Sequence, residues 1–139
     1  MADTHRTVTV ERTAAGTFVA RNERGGTLTM ATEGESFTPT ELLLAAIGGC
    51  TAIDVDILTT RRAEPTSFSL DIEADKVRDE DGNHLTGIEV TFKVTFPDGE
   101  AGDAARALLP DAVQRSHDRL CTVGRTVELP TPVTTRVIS

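Results

Sequence analysis

Two cysteines carry the chemistry this sequence can perform. Cys50 sits in the run FTPTELLLAAIGGCTAIDVDIL, directly behind Gly48 and Gly49. Cys121 sits in SHDRLCTVGR, with Arg115, His117, Arg119 and Arg125 close by in the chain. A cationic setting, or free backbone N–H groups, favours the thiolate, which is the nucleophilic and metal-binding form of a cysteine. Paired glycines weaken a helix by roughly 2 kcal/mol in total. They therefore imply a return, either close approach of another element or a distortion that turns N–H groups toward Cys50. The plain alternative is that Cys50 is a small buried hydrophobe among Ala and Gly.

The surrounding pattern says which elements must hold these thiols. From Thr7 the chain alternates, with AAG and ERGG as turns between short β-rich pieces, so a three-stranded meander is expected over about residues 6 to 31. SFTPTELL then starts a helix, with a Ser or Thr ahead of Pro39 and Glu41 in the first turn, where a carboxylate suits the dipole. This helix should run from about Thr38 to Ala63 and stop before Pro65, with Arg61 and Arg62 in its last turn. Between Leu42 and Ile53 it is nearly apolar all round and must be covered on most sides. A sheet on one side and a second copy of the same helix on the other would suffice, which points to a homodimer.

Two alternating runs follow, Phe68-Leu70-Ile72 and Ile88-Val90-Phe92-Val94-Phe96, joined by the turn DEDGNH into a long hairpin with one buried face. A second helix is expected with Ala104, Leu108, Val113 and Leu120 along one face, kinked or restarted at Pro110. TVELPTPVTTRVIS reads as a closing strand. The order is βββ-α-ββ-α-β, an α+β fold with antiparallel sheets in a single domain over residues 1–139.

The totals narrow the function. At 139 residues the chain can bury a core without staples. Five Phe with no Tyr or Trp offer little for stacking on bases, and a formal charge of -8 repels nucleic acid and anionic membranes alike. The uncharged run from Leu42 to Ile53 is short of the roughly 18 to 20 residues of a membrane span. The polar, alternating opening MADTHRTVTVERT has no secretory pattern, so a cytoplasmic protein is expected. In a reducing compartment two cysteines serve as core thiols, metal ligands or reactive groups rather than as a structural disulfide.

Other chemistries are poorly represented. His117 lies four residues before Cys121, on the same face if that segment is helical, so Cys50, Cys121 and His117 could form a zinc site. No paired short-range ligand motif accompanies them, and no metal is expected; His117 reads more simply as a surface histidine in a charged helix. There is no GxGxxG, Walker loop, GxSxG or HExxH, and no organic cofactor is expected. The acidic DIEADKVRDEDG is a solvated strand end and turn.

TPTELLLAAIGGCTAIDVDIL together with SHDRLCTVGRTVELPTPV resembles the OsmC/Ohr family of osmotically induced and organic hydroperoxide resistance proteins, over nearly the whole chain. The LLLAAxGGCT form is similar to the OsmC-like branch. The resemblance implies an intertwined homodimer with two long central helices packed between sheets and with active sites at the subunit interface. It also implies a thiol peroxidase in which Cys50 attacks the O–O bond and Cys121 resolves the product into a disulfide, reduced in turn by an external dithiol.

The family pairs its reactive thiolate with an Arg from the N-terminal strands and a Glu ten residues before the cysteine. Here that position is Thr40, and the carboxylate is Glu41. On one ideal helix Glu41 is turned about 180° from Cys50 and stands roughly 13 Å away, so only a partner-chain contact could use it. For the cation, Arg24 beside the glycine turn and Arg21 are both available, with Arg24 preferred. Asp54, one turn after Cys50, would either oppose thiolate formation or take over the missing carboxylate's task. The expectation is a peroxidase of organic hydroperoxides with Cys50, Cys121, Arg24 and Glu41 at its site. The competing readings are a non-enzymatic binding or redox-sensing dimer, and the zinc hydrolase.

Overall fold

The computed structural model describes residues 4–139, in the order β1 (Thr9–Ala14), β2 (Thr17–Arg21), β3 (Thr27–Ala31), α1 (Pro39–Thr60), β4 (Ser67–Asp79), β5 (Gly82–Thr95), α2 (Glu100–Arg115), a single π turn (Ser116–Leu120) and α3 (Thr122–Glu128). The chain divides into two compact units, Met1–Leu43 and Leu44–Ser139.

In the first unit β1, β2 and β3 form the expected antiparallel meander. Its register sets Val10 against Ala20 and Leu28, and Arg12 against Phe18 and Met30, so one face is largely apolar. Within the single chain that face is not closed: Val10 is 51% exposed and Leu28 47%. Asn22 shapes the β2–β3 turn, its Oδ1 accepting from the N–H groups of Arg24 at 3.0 Å and Gly26 at 2.9 Å.

Helix α1 opens on a reciprocal cap. The Thr38 hydroxyl accepts from Glu41 N–H at 3.1 Å, and the Glu41 carboxylate accepts from Thr38 N–H at 2.9 Å, with Pro39 in the first turn, where no N–H is needed. The helix ends at Thr60, earlier than the expected Ala63, and Arg61 and Arg62 lie beyond it. The hydroxyls of Thr59 and Thr60 fold back on the carbonyls of Val55 and Asp56, and Arg62 N–H closes a turn on Thr59 O at 2.9 Å. Buried positions Ile47, Gly48, Thr51, Val55 and Thr59 form one stripe, while Ile53 and Ile57 are 63% and 54% exposed.

By length and composition α1 is apolar enough to cross a bilayer, which the shorter uncharged run did not suggest. Here its buried stripe meets β4 at Gly48 and the π turn at Thr51. At Gly48 a Cβ would run into the Ile72 side chain, so this glycine serves close approach rather than distortion of the helix.

The β4–β5 hairpin pairs Phe68 with Val94, Leu70 with Phe92 and Ile72 with Val90, placing the expected apolar face together. One departure occurs at the bulge, where Ala74 faces both Gly87 and Ile88. Gly87 takes φ +62°, a conformation that suits glycine at such a bulge. The extra residue shifts the alternation, so Ile88 lies at 36% exposure rather than in the buried row.

Helix α2 runs through Pro110 without a break. Its buried positions are small residues, Gly102, Ala105 and Ala112; of the expected Ala104-Leu108-Val113-Leu120 row, Leu108 and Val113 are half-buried while Ala104 and Leu120 are exposed. The reason is proximity: a Cβ at Gly102 would overlap the Pro97 carbonyl oxygen. The expected closing strand is replaced by α3 over its first residues, and residues 129–139 pair with no strand. Pro130 and Pro132 lack the N–H groups a ladder needs, and Val133 and Val137 stand almost fully exposed.

These close approaches rank two substitutions. Gly48→Ala should cost roughly 1–3 kcal/mol, because the Ile72 side chain can rotate away from the added methyl. Gly102→Ala should cost more, since its obstacle is backbone. Urea unfolding of both variants checks the order; a smaller loss at Gly102 would contradict this packing.

Candidate active site

Cys50 and Cys121 meet in the second unit. Cys50 is half-buried on α1, four residues before Asp54, and Cys121 is 3% exposed at the junction of the π turn and α3. Both thiols are free. The π turn brings Cys121 N–H to Ser116 O at 2.9 Å, and Cys121 then caps α3, its Sγ accepting from Gly124 N–H at 3.2 Å.

The setting of Cys121 is not the cationic one its sequence neighbours suggested. Burial pushes its pKa up, and the Gly124 N–H opposes this; a side-chain interaction with Cys50, then the charges of Cys50 and Asp54, push it up further. Arg125 is drawn instead to Glu128 at 3.9 Å. Sequence proximity failed here because the π turn and the start of α3 carry the charged side chains outward while Cys121 turns in.

A buried polar chain ties α1 to this junction. Ser116, with no exposed surface, donates from Oγ to Asp54 Oδ2 at 2.8 Å, and lies 2.8 Å from Thr51 Oγ1. A serine hydroxyl has one proton. With that proton on Asp54, Thr51 is the donor to Ser116. Neither Thr51 nor Ser116 was singled out from sequence, since a serine in QRSHDRL has the polar neighbours of a surface residue.

A cavity of about 630 Å³ reaches the site. Ile47, Val90, Phe92 and Val127 supply apolar wall, and His117 and Glu128 supply polar groups. Of the two thiols it is Cys121 that lines it. Beside it His117 is held between carboxylates, with Nδ1 3.0 Å from Asp118 and Nε2 3.0 Å from Glu128. It is thus the paired surface histidine of the simpler reading. Among the described residues no group of three or more His, Cys, Asp or Glu is placed to hold a metal ion, so Cys50, Cys121 and His117 do not assemble as zinc ligands.

The remaining expected site residues lie in the first unit. Arg24 is exposed in the β2–β3 turn and lines a cavity of about 720 Å³ with Arg6 and Glu23. Arg21 pairs with Glu11 at 3.4 Å. The Glu41 carboxylate is engaged in capping α1.

The fold and the site define a small α+β protein with a paired-thiol centre beside a cavity. The OsmC-like protein family matches residues 32–136, and the chain belongs to that family. An uncharacterized protein of Mycobacterium tuberculosis is 28% identical over 131 residues, covering 93% of each chain. The structure of a hypothetical protein from Aquifex aeolicus superposes with a TM-score of 0.72 at 22% identity, covering 91% of this chain and 89% of that one. An organic hydroperoxide resistance protein OsmC from Legionella pneumophila, also described as a predicted redox protein, gives 0.60 at 16% identity, covering 88% and 90%. At these identities the two structural likenesses concern the fold.

The His117 cluster yields a pH signature. The Asp118 hydrogen bond first, and then the Glu128 charge, raise the His117 pKa above its ordinary 6.5, and Asp118 is lowered chiefly by the same bond. The protonated ring therefore stabilises the fold fully below the unfolded-state pKa and loses this effect as pH rises through the higher folded-state value. A ring titration by NMR should give a midpoint above 6.5. His117→Gln should flatten that part of the pH–Tm profile, and an unchanged profile would remove the pairing from solution.

Proposed function

We propose that this protein reduces organic hydroperoxides through a dithiol–disulfide cycle of Cys50 and Cys121, working as a homodimer. The observation that supports this best is the meeting of two free thiols, distant in sequence, beside a cavity with apolar walls. In the first step the Cys50 thiolate attacks the hydroperoxide. An S–O bond forms, the O–O bond breaks, and the alkoxide leaves and takes up a proton as the alcohol. In the second step the hydroxyl of the Cys50 sulfenic acid leaves with the Cys121 thiol proton as water, and the disulfide closes before further oxidation. An external dithiol restores both thiols by exchange, which suits a cytoplasmic location.

Exposure and charge support this division of labour. Cys50 is the more accessible thiol, and Cys121, buried and with its pKa raised, stays protonated until a sulfenic acid is beside it. A second copy of the chain would cover Ile53 and Ile57 on α1 and the apolar face of the meander. We assign Arg24 as the cation that accompanies the Cys50 thiolate. Glu41 serves that arginine only across the dimer, given its orientation along the helix. The description of the Legionella protein as an organic hydroperoxide resistance protein supports the choice of organic hydroperoxides.

A coupled assay with cumene hydroperoxide and dithiothreitol tests the reading. Cys50→Ser should abolish turnover, and Cys121→Ser should stop at a sulfenic acid that dimedone traps. Turnover surviving in Cys50→Ser would refute the assignment. A wild-type disulfide that forms once and without sustained turnover would make the protein a redox sensor.

A further inference from the structure

The cycle needs two thiols on different elements to reach disulfide geometry, with Cβ atoms about 3.5–4.5 Å apart and a torsion near 90°. One residue touches the supports of both. Thr51 and Asp54 lie one and four positions after Cys50, and both hydrogen-bond to the Ser116 hydroxyl at 2.8 Å. The carbonyl of the same Ser116 accepts from Cys121 N–H at 2.9 Å across the π turn. Ser116 has no exposed surface, and an alanine there would leave Thr51 and Asp54 without this partner.

We propose that Ser116 is a positioning residue for disulfide closure, its hydroxyl fixing the Cys50 turn of α1 and its carbonyl fixing the Cys121 backbone. This deepens the proposed dithiol cycle and rests on it for its biological use, although closure itself can be measured with any oxidant. Asp54 has a second part within the same arrangement. It hydrogen-bonds to Ser116 and its charge opposes loss of the Cys121 proton, so closure requires a higher pH than it would without that charge. Cys121 is faced by Cys50 and Asp54 from α1 and by the Gly124 N–H from α3, and it shares its cavity with His117 and Glu128.

The test uses the full chain equilibrated in glutathione buffers, with the Cys50–Cys121 disulfide quantified by thiol trapping. Closure rates after a diamide pulse are followed as a function of pH. Ser116→Ala should lower the disulfide equilibrium constant on the order of tenfold, about 30 mV for a two-electron couple. Thr51→Val should lower it in the same direction, and provides a second variant should Ser116→Ala fold poorly. Gly102→Ala, remote from the thiols in sequence, should lower Tm and leave the constant unchanged. Asp54→Asn should move the pH midpoint of closure downward, a change that a merely structural serine–aspartate contact would not produce.

Equal constants in wild type, Ser116→Ala and Thr51→Val would overturn the proposal, as would a constant that simply tracks Tm across all variants. Closure in wild type without peroxide turnover would remove the peroxidase reading and leave the role of Ser116 standing. A wild type that forms no Cys50–Cys121 disulfide in either oxidant would overturn both.

Discussion

The structure depends on one constraint: a 22-residue helix whose surface is apolar on more sides than one chain covers. Its inner stripe is buried within the chain, with Gly48 against Ile72 of β4 and Thr51 against Ser116. Its outer isoleucines, Ile53 and Ile57, remain more than half exposed, and burying the rest of each would contribute roughly 1–2 kcal/mol. Isolated exposed hydrophobes are ordinary in proteins, but neighbouring ones along one helix face favour the proposed interface. The proposed second copy therefore answers a requirement that arises from α1 before any catalytic argument is made.

A helix packed this tightly on its inner side admits polar groups only where they are fully paired. Thr51 and Asp54 enter that side, and both are met by Ser116. No buried side-chain nitrogen or oxygen among the described residues lacks a partner. Such a chain of short hydrogen bonds restricts the arrangement of its elements more than an apolar contact does, because slippage would leave donors and acceptors unpaired in a low-dielectric interior. The two thiols inherit that restriction, since Cys50 shares a turn with Thr51 and Asp54 and Cys121 hangs from the Ser116 carbonyl.

Much of this was legible in the residues, for reasons that can be named. The meander, the α1 start at Thr38-Pro39-x-Glu41 and the hairpin faces are local patterns, and local patterns survive into the fold. Features set by distant contacts did not show. The inward face of α2 depends on how closely Pro97 approaches Gly102, and spacing alone favoured the larger residues. The final segment reads as a strand by composition but finds no pairing edge within one chain. At the site, the two cysteines stood out by type, whereas Ser116 gave no signal because its burial comes from a π turn that no residue preference announces.

At Cys121 the fold reverses the electrostatic setting that the neighbouring residues in sequence suggest. Four basic or ionisable neighbours in sequence suggested an activated thiolate, yet the groups that raise the Cys121 pKa in space are Cys50 and Asp54. A resolving thiol gains from that reversal. If both thiols were ionised together they would repel each other, and Cys121 could compete for the oxidant. In the proposed cycle Cys121, buried and with its pKa raised, becomes a nucleophile when its proton can leave with the sulfenic hydroxyl as water. The Asp54 charge therefore acts, in that cycle, on Cys121, whose proton it helps to hold.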